Sequence, residues 1–142
     1  MSARDDRPGR SAHRLDLDDP RLREFWTERH LATLTTLRST GRPHTVPVAP
    51  VLDLDRGVLS IITSQGSQKV HNVSASTGDA WATVCQVDGR RWCTVDGIAQ
   101  VLSDPPAVAV AEQRYATRFR IPRPNPERVV LLVTIDSVMG SL

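Results

Sequence analysis

Hydroxyl side chains, a flexible glycine and a cation stand together in Thr63-Ser64-Gln65-Gly66-Ser67-Gln68-Lys69. The segment follows an apolar run, Val58-Leu59-Ser60-Ile61-Ile62, that reads as a buried strand. It precedes Val70-His71-Asn72-Val73, which can open a helix. A strand-to-helix junction of this make-up suits an anion, because free backbone N–H groups stand at a helix start and Lys69 brings charge. Phosphate is the biological anion such a place takes. No P-loop pattern with a paired Gly-Lys-Ser/Thr is present, so loop chemistry alone favours a solvated turn with a surface lysine over a phosphate site.

The two cysteines offer less. Cys85 and Cys93 flank Asp88-Gly89, a hairpin turn signal. A two-residue turn there sets Cys85 opposite Trp92 and Val84 opposite Cys93. The thiols then point to opposite sheet faces and cannot form a disulfide. No His or Cys cluster lies nearby, so no metal site is expected.

These residues must be held by a fold, and 142 residues suit one domain with a real core. The net charge of +2 is spread along the chain, which does not indicate nucleic acid as a partner. No apolar stretch approaches the roughly 20 residues that span a bilayer, and no apolar secretory core follows Met1. A cytoplasmic protein without membrane contact is expected. Residues 1–19 are charged and poor in apolar side chains, and read as a disordered tail ahead of one domain over 20–142.

Asp19 caps a short helix with Pro20 at its first position, and Leu22, Phe25 and Trp26 share the face it turns to the core. From there the period is two. Strands are predicted over 31–37, 45–52, 58–62, 79–87, 91–102 and 129–135. Pro47 and Pro50 remove two donors from the second, which places it at an edge, a bulge or a cofactor cleft. Asp104, Pro105 and Pro106 open another helix with the stripe Val108, Ala111, Tyr115 and Phe119; the proline-rich run 121–126 cannot continue it. Most links are too short for parallel crossovers. The expected fold is mainly β: six antiparallel strands closed into a small barrel, with two to three short peripheral helices.

In this order of elements, Gly41-Arg42-Pro43-His44, the segment 62–69 with Asn72, and Trp92-Cys93-Thr94-Val95-Asp96-Gly97 resemble the flavin and deazaflavin split-barrel family typified by pyridoxamine 5′-phosphate oxidase. Gly66-Ser67-Gln68-Lys69, Gln86-Val87-Asp88-Gly89, Arg114-Tyr115-Ala116 and Pro122-Arg123-Pro124-Asn125-Pro126 are similar to the branch that uses coenzyme F420, of biliverdin reductase type. The resemblance implies an FMN-binding split-barrel-like fold and a homodimer with cofactor sites at the interface. It implies an oxidoreductase passing hydride from the deazaflavin to biliverdin or a similar conjugated tetrapyrrole. An FMN-dependent oxidoreductase and a cofactor- or haem-related binding protein without turnover are the alternatives.

Carried over by position, the strand Val46, Pro47, Val48, Ala49 and Val51 runs beside the tricyclic ring. Ile62 and Thr63 lie beside the ring and its phosphate-bearing chain. The phosphate site falls on Ser67, Gln68 and Lys69, with Asn72 behind them. Gln68 stands where the oxidases carry arginine. Trp92 stands where they carry a flavin-contacting glutamine, and its indole either packs on the ring or fills the barrel. The end of the chain lacks the tryptophan and arginine of the oxidases' C-terminal segment, so a different substrate is expected. Hydride chemistry belongs to the cofactor, and no catalytic residue is assigned. His44, His71 and Tyr115 are proton donors by residue type. Arg114, Arg118, Arg120, Arg123 and Arg128 have the chemistry to hold propionates, to cover a cofactor tail, or to sit in solvent.

Overall fold

The computed structural model describes residues 13–142. Residues 1–12 of the expected tail lie outside the described residues. From residue 13 the chain runs beside its own last strand: Arg14 bridges Met139, and the Leu15 amide donates to the Val138 carbonyl at 3.0 Å. Leu15 packs against the core.

Helix α1 (Pro20–Thr27) begins where Asp19 accepts from the Arg21 amide at 2.9 Å and Pro20 fixes the first turn. Leu22, Phe25 and Trp26 are buried, as their spacing predicts. Burial of such side chains contributes about 1.5–3 kcal/mol each. Seven strands follow: β1 (Ala32–Leu37), β2 (Pro43–Val48), β3 (Val51–Asp53), β4 (Val58–Ser64), β5 (Trp81–Asp88), β6 (Arg91–Leu102) and β7 (Arg128–Ser141). Helix α2 (Gln68–Ser74) lies between β4 and β5, and α3 (Pro105–Arg118) between β6 and β7. At the start of α3, Asp104 accepts from the Ala107 amide at 3.2 Å.

The strands form one antiparallel sheet in the order β2-β1-β5-β6-β7-β4-β3. Its two edge strands, β2 and β3, are neighbours in the chain, with only Ala49 and Pro50 between them. The sheet therefore curls until its edges meet at this bend, with no ladder joining them. The result is a barrel split along one seam. The expected six strands become seven because 45–52 is not one strand. Pro47 and Pro50 cannot donate to a ladder, and the chain uses Ala49-Pro50 to pass from β1's side of the barrel to β4's.

The β5–β6 hairpin departs from the expected register. Cys85 pairs with Thr94, Gln86 with Cys93 and Val87 with Trp92, so the turn residues are Gly89 and Arg90. Gly89 alone takes positive φ (62°), which suits glycine at the first position of a type II′ turn. Asp88 and Arg91 close the hairpin as an ion pair. The shift is two residues, so facing is preserved. Cys85 and Cys93 remain on opposite faces as free thiols. Cys93 accepts from the Trp26 indole at 3.3 Å, and burial pushes its pKa up to about 11.

The final strand is longer than expected and pairs with both β6 and β4. Its register against β6 shifts between Asp96 and Gly97. A methyl group at Gly97 would overlap the Thr134 carbonyl and stand 2.7 Å from Val133 Cγ1. The barrel interior is filled by Leu34, Leu59, Ile61, Val84, Val95, Leu131 and Val133. Among the described residues, no helix is long and apolar enough to cross a membrane.

Candidate active site

A cleft of about 490 Å³ opens at the seam, a size that holds a cofactor or a small ligand. Pro47, Val48 and Ala49 form one wall, at the free edge of β2. Ile61, Ile62, Thr63 and Ser64 of β4 form another. Lys69 of α2, Tyr115 of α3 and the 120–128 connection complete it. The local sequence explains why these parts converge. Prolines end the β2 ladder at the bend, while β4 continues to Ser64, and Asn125 donates to Ser64 Oγ at 2.9 Å.

The cleft is cationic. Lys69, Arg120, Arg123 and Arg128 line it, and no carboxylate does. Lys69 is half-buried. Among the described residues its ammonium makes no hydrogen bond or ion pair, and desolvation holds its pKa below the ordinary lysine value. A buried ammonium without an anion is unfavourable, so this position favours an anionic ligand.

Six of the twelve candidate cofactor residues meet here: Pro47, Val48, Ala49, Ile62, Thr63 and Lys69. Ser67 stands behind them as the residue preceding α2, within 3.5 Å of Thr63 Oγ1. Gln68 and Asn72 do not line the cleft. Gln68 donates to Asn72 Oδ1 at 2.7 Å, and buried Asn72 donates to Thr36 Oγ1 at 3.0 Å. That relay ties α2 to β1. Val46 packs against the core, and Val51 of β3 pairs with Ser60 of β4. Trp92 is remote from this cleft, half-buried at the far hairpin with its ring 5.7 Å from that of His13.

Of the proton-donor candidates, Tyr115 lines the cleft, whereas His44 and His71 do not. His44 Nδ1 is buried without a partner on β2. The five arginines separate cleanly. Arg114 pairs with Asp53 at 2.6 Å, and Arg128 with Glu112 at 2.6 Å. Arg118 is buried, and its guanidinium donates to the Glu28 carbonyl at 2.7 and 2.9 Å, to Gln86 Oε1 at 2.7 Å, and to the Pro50 carbonyl. Burial lowers its pKa to about 10, so it stays charged near neutrality. Arg120 and Arg123 keep free guanidiniums among the described residues. Ser64, Pro122 and Asn125 also line the cleft and were not among the predicted ligand contacts; the proline spacing of 122–126 is the signal that marks that loop as built.

Residues 18–140 match the pyridoxamine 5′-phosphate oxidase family. The chain belongs to that family. This family member is 50% identical over 117 residues to an F420H(2)-dependent biliverdin reductase of Mycobacterium tuberculosis (strain CDC 1551 / Oshkosh), a match covering 82% of this chain and 83% of the relative. Its fold is similar to that of a solved F420 reductase (TM-score 0.65, 20% identity, 81% of this chain and 93% of that one). It is also similar to the general stress protein 26 of Bacillus anthracis str. Sterne (TM-score 0.67, 16% identity, 85% and 91%). These structural likenesses establish the split-barrel fold of the family member.

Proposed function

We propose that this protein is a coenzyme F420-dependent reductase that passes hydride to biliverdin or a similar conjugated tetrapyrrole. The observation that carries the reading is Lys69, a half-buried ammonium without an internal anion at a cleft that holds no carboxylate. Such a site selects a phosphorylated cofactor, and the relative at 50% identity is named for the one that fits. When bound, the reduced deazaflavin supplies hydride from its ring to an electrophilic carbon.

The residues present suit that group. The free edge of β2 and the bend at Ala49 would offer backbone polar groups, with Pro47 lending an apolar wall; Val46 lies in this strand and Val51 opens the next. Ile62 and Thr63 would hold the ring and its chain. Lys69 would take the phosphate with Ser67 beside it, and Gln68 and Asn72 tie α2 to β1. The Tyr115 hydroxyl is the candidate proton source for the product.

A homodimer is part of the reading. Leu31, Leu37, Trp81 and Val87 are exposed by 64%, 52%, 45% and 60%. The register puts Leu37, Trp81 and Val87 on the same outer sheet face as Pro47 and Trp92. A second copy covering this face would wall the open side of the cleft and bring its own Trp92 toward the ring. The unpaired thiols fit a cytoplasmic setting. The test is the chromophore. Purified protein should be free of flavin and should bind F420 in a fluorescence titration. A yellow FMN spectrum with no F420 binding would overturn the reading.

A further inference from the structure

Two arginines at the cleft have no internal task, and the segment that carries them is braced. Arg120 and Arg123 line the cleft, and among the described residues neither guanidinium meets a carboxylate or another acceptor. The third arginine lining the cleft, Arg128, is already paired with Glu112. The connection is pinned at three points. The Phe119 carbonyl accepts from Arg29 at 2.6 Å, the Arg123 carbonyl accepts from Arg128 at 2.7 Å, and Asn125 reaches Ser64. Pro122, Pro124 and Pro126 fix φ along it. Cations on a braced loop lose little freedom on capturing an anion.

We propose that Arg120 and Arg123 form an acceptor subsite that holds, on their two guanidiniums, the carboxylate arms of a conjugated acceptor lying in the cleft. This rests on the reading of the cleft as an F420 site, and it divides the cations by task. Lys69, half-buried at the α2 end, serves the phosphate. The exposed arginines at the 120–128 end serve the carboxylates of the hydride acceptor. Biliverdin, with two flexible propionates on a linear tetrapyrrole, has the required chemistry. Exposed guanidiniums are screened by salt, so capture through them weakens as ionic strength rises.

Equilibrium binding tests the subsite apart from turnover. Biliverdin and its dimethyl ester, which keeps the chromophore and loses both charges, are titrated into F420-loaded protein and followed by visible absorbance. Wild type should bind biliverdin about tenfold or more tightly than the ester. The double variant Arg120→Gln/Arg123→Gln should bind both at the ester's affinity, with its melting temperature and F420 affinity unchanged. Equal affinity of wild type for acid and ester would overturn the proposal. So would a preference retained in the variant, or a loss confined to F420 affinity, which would assign the arginines to the cofactor. A wild type that prefers the acid yet never reduces it would keep the subsite and sink the proposed activity.

Discussion

At the scale of single residues, the account places most weight on Lys69. Lys69→Ala should weaken F420 binding about ten- to a hundredfold, the loss of one charge-assisted contact of about 1.5–3 kcal/mol, while leaving the melting temperature nearly unchanged. Fluorescence titration of the deazaflavin reads it, and unaltered affinity would return Lys69 to the role of a surface lysine. The pH dependence follows. Burial already lowers the pKa of Lys69 below its ordinary value of 10.5, and a bound phosphate favours the charged form. Cofactor affinity should therefore be full at neutral pH and fall as pH rises through the lowered pKa of the free lysine. Lys69→Ala should abolish that alkaline fall. The position of Lys69 at a strand-to-helix junction was legible from the sequence, and the structure adds that it lines the cleft. The relay of Gln68 and Asn72 to Thr36 was not legible, because sequence spacing alone cannot tell a side chain facing a cleft from one tying a helix to a strand.

At the scale of elements, two junctions hold the barrel together. Gly97 lets β6 and β7 approach where their register shifts. Gly97→Ala should cost about 1–3 kcal/mol through overpacking, seen as a lowered melting temperature. No drop would mean that β7 yields there. The second junction is Glu28, whose carboxylate receives Arg91 at 2.7 and 3.0 Å and His30 at 2.8 Å. Arg91 first, then His30, pull its pKa down to about 2 from an unfolded value near 4.5. Its contribution is thus complete above about pH 4.5 and is lost as pH falls toward about 2. The melting temperatures of wild type and Glu28→Gln should converge over that acid window; a constant gap between them would show that the pairing contributes nothing. Strands and helices were largely legible because caps, prolines and period-two runs are local signals. The division of 45–52 and the hairpin register were not. Both depend on which strand each side of the bend or turn must meet, and that is set by the closed sheet.

At the scale of the whole molecule, the barrel leaves Leu37, Trp81 and Val87 exposed on an outer sheet face that also carries a row of threonines. If a second copy covers it, Val87→Glu should convert a dimer to monomers in sedimentation and weaken cofactor binding as well. A wild type that sediments as a monomer and still binds F420 would remove the shared site and with it any role for Trp92 in the cleft. The antiparallel barrel was readable from short links, while Pro47 and Pro50 marked 45–52 as an edge, bulge or cleft strand without telling which. The remoteness of Trp92 was not readable, since a strand position fixes a face but not which molecule that face meets. The central claim is hydride transfer, and an anaerobic mixture of this protein, reduced F420 and biliverdin tests it most directly. The account predicts loss of the biliverdin absorbance matched by return of oxidised F420, dependent on the protein. Reduced F420 that binds yet stays reduced in the presence of biliverdin would contradict it.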